Sequence, residues 1–238
     1  MQKKIIAWIK EQVKTAKAKG VVVGLSGGID SAVTAALCCR ALGKNKLVGL
    51  ILPCLSQNQD LVDARLVAKR LGIKVKTIDL NPIYKICLML LPKGKKIACA
   101  NLKARLRMLI LYYFANNMNY LVCGTGNKTE LLIGYFTKFG DGATDILPLG
   151  GLLKSQVREL AGDLNIPQRI INKAPTAGLW PGQTDEAEIG ITYKELDQIL
   201  LGIESGRPRK LPFKKIAKIR RKISEAKHKR QPPAIFYA

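Results

Sequence analysis

Residues 20–25 (GVVVGL) are a β-branched apolar run with no polar alternation, followed by serine and glycines. Such a run predicts a strand buried on both faces, as in a parallel sheet. Residues 30–42 have helical composition and stop at Gly43. A second strand is predicted over 46–52 (KLVGLIL), closed by Pro53. A helix over 57–71 follows, with Leu61, Val62, Leu66, Val67 and Leu71 on its apolar face and Gly72 at its end. A third strand at 73–80, a basic stretch, a helix at 101–117 and a fourth strand at 120–123 complete this half. At the amino end Ile5, Ile6, Ile9 and Val13 share one helical face. Alternating strands and helices predict an α/β fold: an open parallel sheet, right-handed crossovers, and helices on both faces.

Beyond residue 133 the pattern changes. Residues 134–153 are rich in Gly, Asp, Thr and Lys and lack periodicity, as does 174–190. Long loops inside a compact domain usually carry function. Helices are predicted at 192–201 and 213–226. With no repeat or low-complexity linker in sight, residues 1–238 read as one domain with a helical C-terminal extension.

Composition then narrows the chemistry. Apolar residues make up 47%, enough for a sizeable core and against general disorder. The single histidine, His228, excludes multi-histidine metal centres and argues against a Ser-His-Asp hydrolase. The six cysteines form no C-x-x-C pair, and most of them, among apolar neighbours, read as small core residues of a reducing cytoplasm. Lys10 and Glu11 interrupt the first apolar run, so it is no signal peptide, and no stretch is apolar enough for a membrane helix. The net charge is +23, concentrated at 93–107 and 207–230. A nucleic-acid partner is one reading. The favoured one is a solvated face that attracts small anions, because aromatic stacking platforms do not alternate with the basic residues.

The sharpest local signal is residues 24–31, GLSGGIDS, at the carboxyl end of the first strand and opening a helix. Ligands of open α/β sheets bind there. Glycines permit close backbone approach to a phosphate, and the free N–H groups of the helix start point at it. The loop is not a Walker A sequence, since no lysine follows its glycines. Asp30 beside a phosphate requires a cation between them, which makes it a natural Mg²⁺ ligand.

S-G-G-x-D-S after an apolar strand resembles the pyrophosphate loop of the N-type ATP pyrophosphatases, which cleave ATP between its α and β phosphates. Three more blocks narrow the resemblance to the NAD synthetase family: 124–130 (GTGNKTE), 134–149 (GYFTKFGDGATDILPL) and 174–193 (APTAGLWPGQTDEAEIGITY). KARLRM at 103–108 and the His228–Lys229 pair add to it. The resemblance implies an adenine nucleotide alpha hydrolase-like fold. It implies that Gly24, Leu25, Ser26, Gly27, Gly28, Ile29, Asp30 and Ser31 hold the ATP phosphates, and that Thr125, Lys154 and Thr176 also contact ATP. Asp30 and Glu130 are its Mg²⁺ ligands. Arg105, Lys138, Asp145, His228 and Lys229 are its contacts to deamido-NAD. Lys154 and Asp141 are the catalytic candidates, Asp141 placing the nicotinate ring or the ammonia. Asp185 and Glu186 fall in a segment like the family's mobile lid, with Gly178, Gly182 and Gly190 as its hinges.

The activity so implied is adenylation of the nicotinate carboxylate by ATP, then attack of ammonia on the acyl-adenylate, giving NAD, AMP and pyrophosphate. This needs no protein nucleophile, which suits a chain with one histidine. Only about twenty residues precede the first strand, too few for a glutaminase domain, so ammonia is expected free or from a separate partner. The resemblance also implies a homodimer. The rivals are a tRNA-modifying ATP pyrophosphatase and a nucleic-acid-binding protein without catalysis.

Overall fold

The structure is a computed structural model that describes residues 1–180, 182–206 and 212–236. Its centre is a parallel sheet in the order β3-β2-β1-β4. The strands are β1 (Gly20–Gly24), β2 (Leu47–Ile51), β3 (Lys74–Thr77) and β4 (Tyr120–Val122). Along β1, Val21 and Val23 enter one apolar cluster and Val22 enters another. Both faces are therefore dry, which is why the strand has no polar alternation. β3 lies at the edge; only Val75 packs inward while its lysines face water, a pattern that blunts pairing with other chains.

The first face is covered by α1 (Gln2–Thr15), α2 (Ile29–Leu42), α3 (Asn58–Leu71) and α7 (Lys154–Asp163). The second is covered by α4 (Asn81–Leu90) and α5 (Lys96–Met118). From β1 the chain steps outward to β2 and β3. It then recrosses the sheet through α4 and α5 to reach β4 on the other side of β1. Strand order thus reverses between β1 and β4, and a crevice opens at their carboxyl ends.

A third cluster is built by α6 (Lys128–Ile133), α10 (Tyr193–Glu204) and α11 (Phe213–Glu225), with Ile189 of the short helix α9 (Asp185–Ile189). Ile216, Ile219 and Ile223 turn one face of α11 inward and leave its lysines and arginines outside. The C-terminal extension is thereby packed onto α6.

Three details differ from the sequence reading. The stretch after β3 is not simply basic: Pro82 opens α4, whose fixed φ suits a first turn, and Tyr84 buries against Leu80. α5 starts at Lys96, five residues early, because its first turn is exposed and has no apolar period to announce it. α7 and α8 (Gln168–Ile171) have no counterpart among the predicted elements, although Val157, Leu160 and Ile170 bury in the main core.

Candidate active site

The loop between β1 and α2 folds on itself. Ser26 N–H donates to Ser31 Oγ (3.3 Å), Gly28 N–H to Ser26 Oγ (3.2 Å), and Ser31 Oγ to the Gly28 carbonyl (2.9 Å). Gly27 has φ +78°, and a Cβ there would lie 2.3 Å from the Asp60 carbonyl oxygen. Only glycine fits. Gly28 is the N-cap of α2 and has no side chain to spend on the first N–H groups, so these face the crevice free for an anion.

Asp30 stands in the first turn of α2. Its Oδ2 accepts from Lys154 Nζ (2.5 Å) and its Oδ1 from Asn127 Nδ2 (2.9 Å). Lys154 Nζ also donates to Glu130 Oε1 (3.0 Å). Asn127 does two jobs, since with Glu130 it forms the capping box that starts α6. Lys154 is only 2% exposed, and its own N–H donates to Thr129 Oγ1 (3.0 Å). Thr129 Oγ1 in turn donates to Asp197 Oδ1 (2.6 Å), while Asp197 Oδ2 accepts from Ser155 N–H (2.8 Å). Asp197 on α10 thus fixes the starts of α6 and α7 together, and with them the lysine.

Two carboxylates around one ammonium leave this cluster one negative charge in excess. Burial pushes the Glu130 carboxyl up to about 7, Asp30 adds to this, and Lys154 opposes it. For Lys154 burial alone would favour the neutral amine, but Asp30 and Glu130 reverse that and hold its proton above the usual lysine range. Excess negative charge on carboxylate oxygens suits a hard cation. Among the described residues no three His, Cys, Asp or Glu side chains form a closed metal cage. Two carboxylates with the remaining positions left to water and phosphate match the way Mg²⁺ is usually held.

Above this lies a cavity of about 500 Å³. Gly24, Leu25, Ser26, Gly28, Ile29, Asp30 and Ser31 line it, with Thr125, Glu130, Asp141, Lys154, Thr176 and Lys229. Gly27 packs behind the loop against α3. Arg105, Lys138 and His228 join at the outer side of the loop after α6: Arg105 Nη2 donates to the Lys138 carbonyl (3.3 Å) and Lys138 Nζ to the His228 carbonyl (2.8 Å). Lys229 Nζ holds the carbonyls of Gly134 (2.8 Å) and Phe136 (2.9 Å). Asp145 stands apart from these four. Its oxygens accept from Val122 N–H (2.7 Å) and Tyr112 OH (3.1 Å) at the end of β4. Asp141 accepts from Thr137 N–H (2.8 Å), and burial raises its carboxyl above the ordinary value.

The 174–190 segment is not loose throughout. Gly178, Gly182 and Gly190 take positive φ, as hinge glycines can. Asp185, however, is buried and accepts from Tyr193 OH (3.0 Å) and Tyr135 OH (3.0 Å), and Glu186 Oε1 accepts from Tyr193 N–H (2.8 Å). Residues 174–179 cover the cavity, and Lys103 Nζ donates to the Leu179 carbonyl (2.7 Å). Sequence reasoning missed Asp60, Arg107, Gln183 and Lys173, all of which line the cavity. Arg107 falls within the basic KARLRM run and Lys173 directly precedes a resemblance block, but neither type nor spacing marks them.

A glycine loop at the switch point of a parallel sheet, an uncapped helix start and a carboxylate–lysine–carboxylate cluster define a nucleotide-binding α/β enzyme that handles phosphates. The NAD synthase family matches residues 1–233, and the chain belongs to that family. It is 48% identical over 234 residues to the NH(3)-dependent NAD(+) synthetase of Archaeoglobus fulgidus, spanning 98% of this chain and 94% of the relative. Among solved structures it is similar to NMN synthetase from Francisella tularensis (TM-score 0.90, 41% identity, 98% of this chain and 96% of that one). It is also similar to the NH3-dependent NAD synthetase of Campylobacter jejuni in complex with nitrate (TM-score 0.87, 32% identity, 99% and 97%).

Proposed function

We propose that this chain amidates deamido-NAD to NAD with ATP and ammonia, through an acyl-adenylate, releasing AMP and pyrophosphate. The observation that carries the reading is the position of Lys154, held between Asp30 and Glu130 at the mouth of the phosphate loop. A lysine has three N–H donors, and Lys154 spends two on the carboxylates. The third is left for a phosphate oxygen, where charge builds as the carboxylate attacks the α phosphorus. The free N–H groups at the start of α2 serve the same charge. Asp30 and Glu130 would hold Mg²⁺, which supplies neutralisation of the ATP phosphates. Thr125 and Thr176 line the same cavity and would orient ATP.

The chain Arg105–Lys138–His228, with Lys229, forms the basic rim toward which an anionic dinucleotide is drawn. Asp141 lines the cavity together with Lys229 and would place the nicotinate or the incoming ammonia. Residues 174–179 close over the reactants and keep water from the acyl-adenylate. Relatives named for NH(3) support free ammonia as the nitrogen source. We read residues 1–238 as one domain and the protein as cytoplasmic, with six free thiols. No helix among the described residues is long and apolar enough to cross a membrane. We read it as a homodimer through the outer sides of α4 and α5, where Ile83, Ile86, Met89, Leu90 and Tyr113 are exposed.

The test is incubation with ATP, Mg²⁺, ammonium and deamido-NAD, following NAD and AMP. Equal formation of both is expected; AMP formed only when tRNA is added would overturn the reading. The likeness to an NMN synthetase favours one second reading, amidation of nicotinate mononucleotide. The ratio of kcat/KM for the two substrates decides between them.

A further inference from the structure

The phosphate loop is braced from behind by a second lysine. Lys173 Nζ donates to Asp60 Oδ1 (2.7 Å), Asp63 Oδ2 (2.8 Å) and the Gly27 carbonyl (3.3 Å). Those three acceptors use all its donors, so none is left for a phosphate. Arg169 completes the cluster on Asp63 Oδ1 (2.7 Å). Two cations and two carboxylates cancel, so the cluster contributes geometry rather than field at the phosphates. The same residue is continuous with 174–179, the stretch that covers the cavity. Lys173 is therefore where the phosphate loop, the start of α3 and the cover meet. The Gly27 carbonyl and the Gly28 N–H belong to one trans peptide and point oppositely. Holding the carbonyl toward α3 aims the N–H at Ser26 Oγ and sets the loop's shape.

We propose that Lys173 is a positioning residue for ATP: by holding the Gly27 peptide against Asp60 and Asp63 it fixes the phosphate loop, and it spends no donor on the nucleotide. This rests on the ATP-dependent reading above. The experiment is calorimetric titration of the full chain with ATP and Mg²⁺, beside steady-state KM for both substrates, in wild type, Lys173→Met, Lys173→Arg and Asp60→Asn. Wild type that fails to bind ATP sinks the functional reading itself. Given wild-type binding, Lys173→Met should weaken ATP by about tenfold or more while the KM for deamido-NAD stays within about twofold. Lys173→Arg, which keeps the cation, should recover most of the ATP affinity. Asp60→Asn leaves the lysine in place and should give a smaller loss in the same direction, which keeps the idea testable if Lys173→Met does not fold. Unchanged ATP affinity in Lys173→Met, or in Asp60→Asn where the former is unfolded, overturns the proposal. So does equal weakening of both substrates, the mark of a merely structural role.

Discussion

Gly27 and Asp30 sit three positions apart and are constrained for different reasons. At Gly27 the limit is steric: positive φ and a Cβ position inside the Asp60 carbonyl. Gly27→Ala should cost on the order of 1–3 kcal/mol and lose most ATP affinity, read by thermal melts and titration. At Asp30 the limit is chemical. Asp30→Asn keeps the shape and a contact to Lys154 but drops a charge, so kcat should fall on the order of 10²–10³-fold with little change in melting temperature. A retained rate of pyrophosphate release would remove Asp30 from the metal role. Asp63 belongs to the brace behind the loop. Burial would raise its carboxyl, but hydrogen bonds from Lys173, Gln59 and Arg169 outweigh that and hold it below the ordinary range. A carboxyl depressed in the folded state stabilises fully above its unfolded value of about 3.9 and loses that contribution as pH falls through its folded value. Denaturation midpoints of Asp63→Asn should therefore change less than those of wild type as pH drops below about 4.

Among the elements, the cover at 174–179 and the helices α4 and α5 carry separate expectations. Lys103 on α5 is a buried ammonium whose Nζ hydrogen bond goes to the Leu179 carbonyl, and burial lowers its proton affinity. Lys103→Met removes a costly buried cation and the tie at once. The melting temperature should hold or rise while proteolysis within 174–182 accelerates. Slower or unchanged cleavage would show that the cover is held elsewhere. On α4, Met89 and Leu90 are each 81% exposed. Replacing both by glutamate should leave the fold intact and yield monomers by light scattering if α4 builds the dimer. α4 also shows how far the periodic pattern reaches. Of its ten residues only Tyr84 is buried, so the apolar run over 83–90 faces largely outward and no core-facing period announces the helix.

Across the whole molecule the +23 charge is uncompensated by local pairing. Such a field draws anionic substrates and is screened by salt over about 10 Å at 0.1 M. Raising NaCl from about 50 to 300 mM should lift the KM values for ATP and deamido-NAD several-fold and leave kcat nearly flat. A flat KM would assign the basic surface to some other partner.

Local information reached the strands and the phosphate loop, because each rests on periodicity or on adjacent residues; Thr125, Glu130, Lys154 and Thr176 were reached only through the family resemblance, and much of the remaining cavity lining was not reached at all. The GLSGGIDS run carries its own glycines, helix start and acid within eight positions. What joins distant positions was left to the fold. Lys154 meets Asp30 across 124 residues, and Lys173 reaches the Gly27 carbonyl across 146. A parallel sheet gathers the carboxyl ends of separate strands at one edge, so groups far apart along the chain become neighbours there. No spacing rule records which of them will share a proton, brace a loop or, like Asp145, turn aside to close a strand.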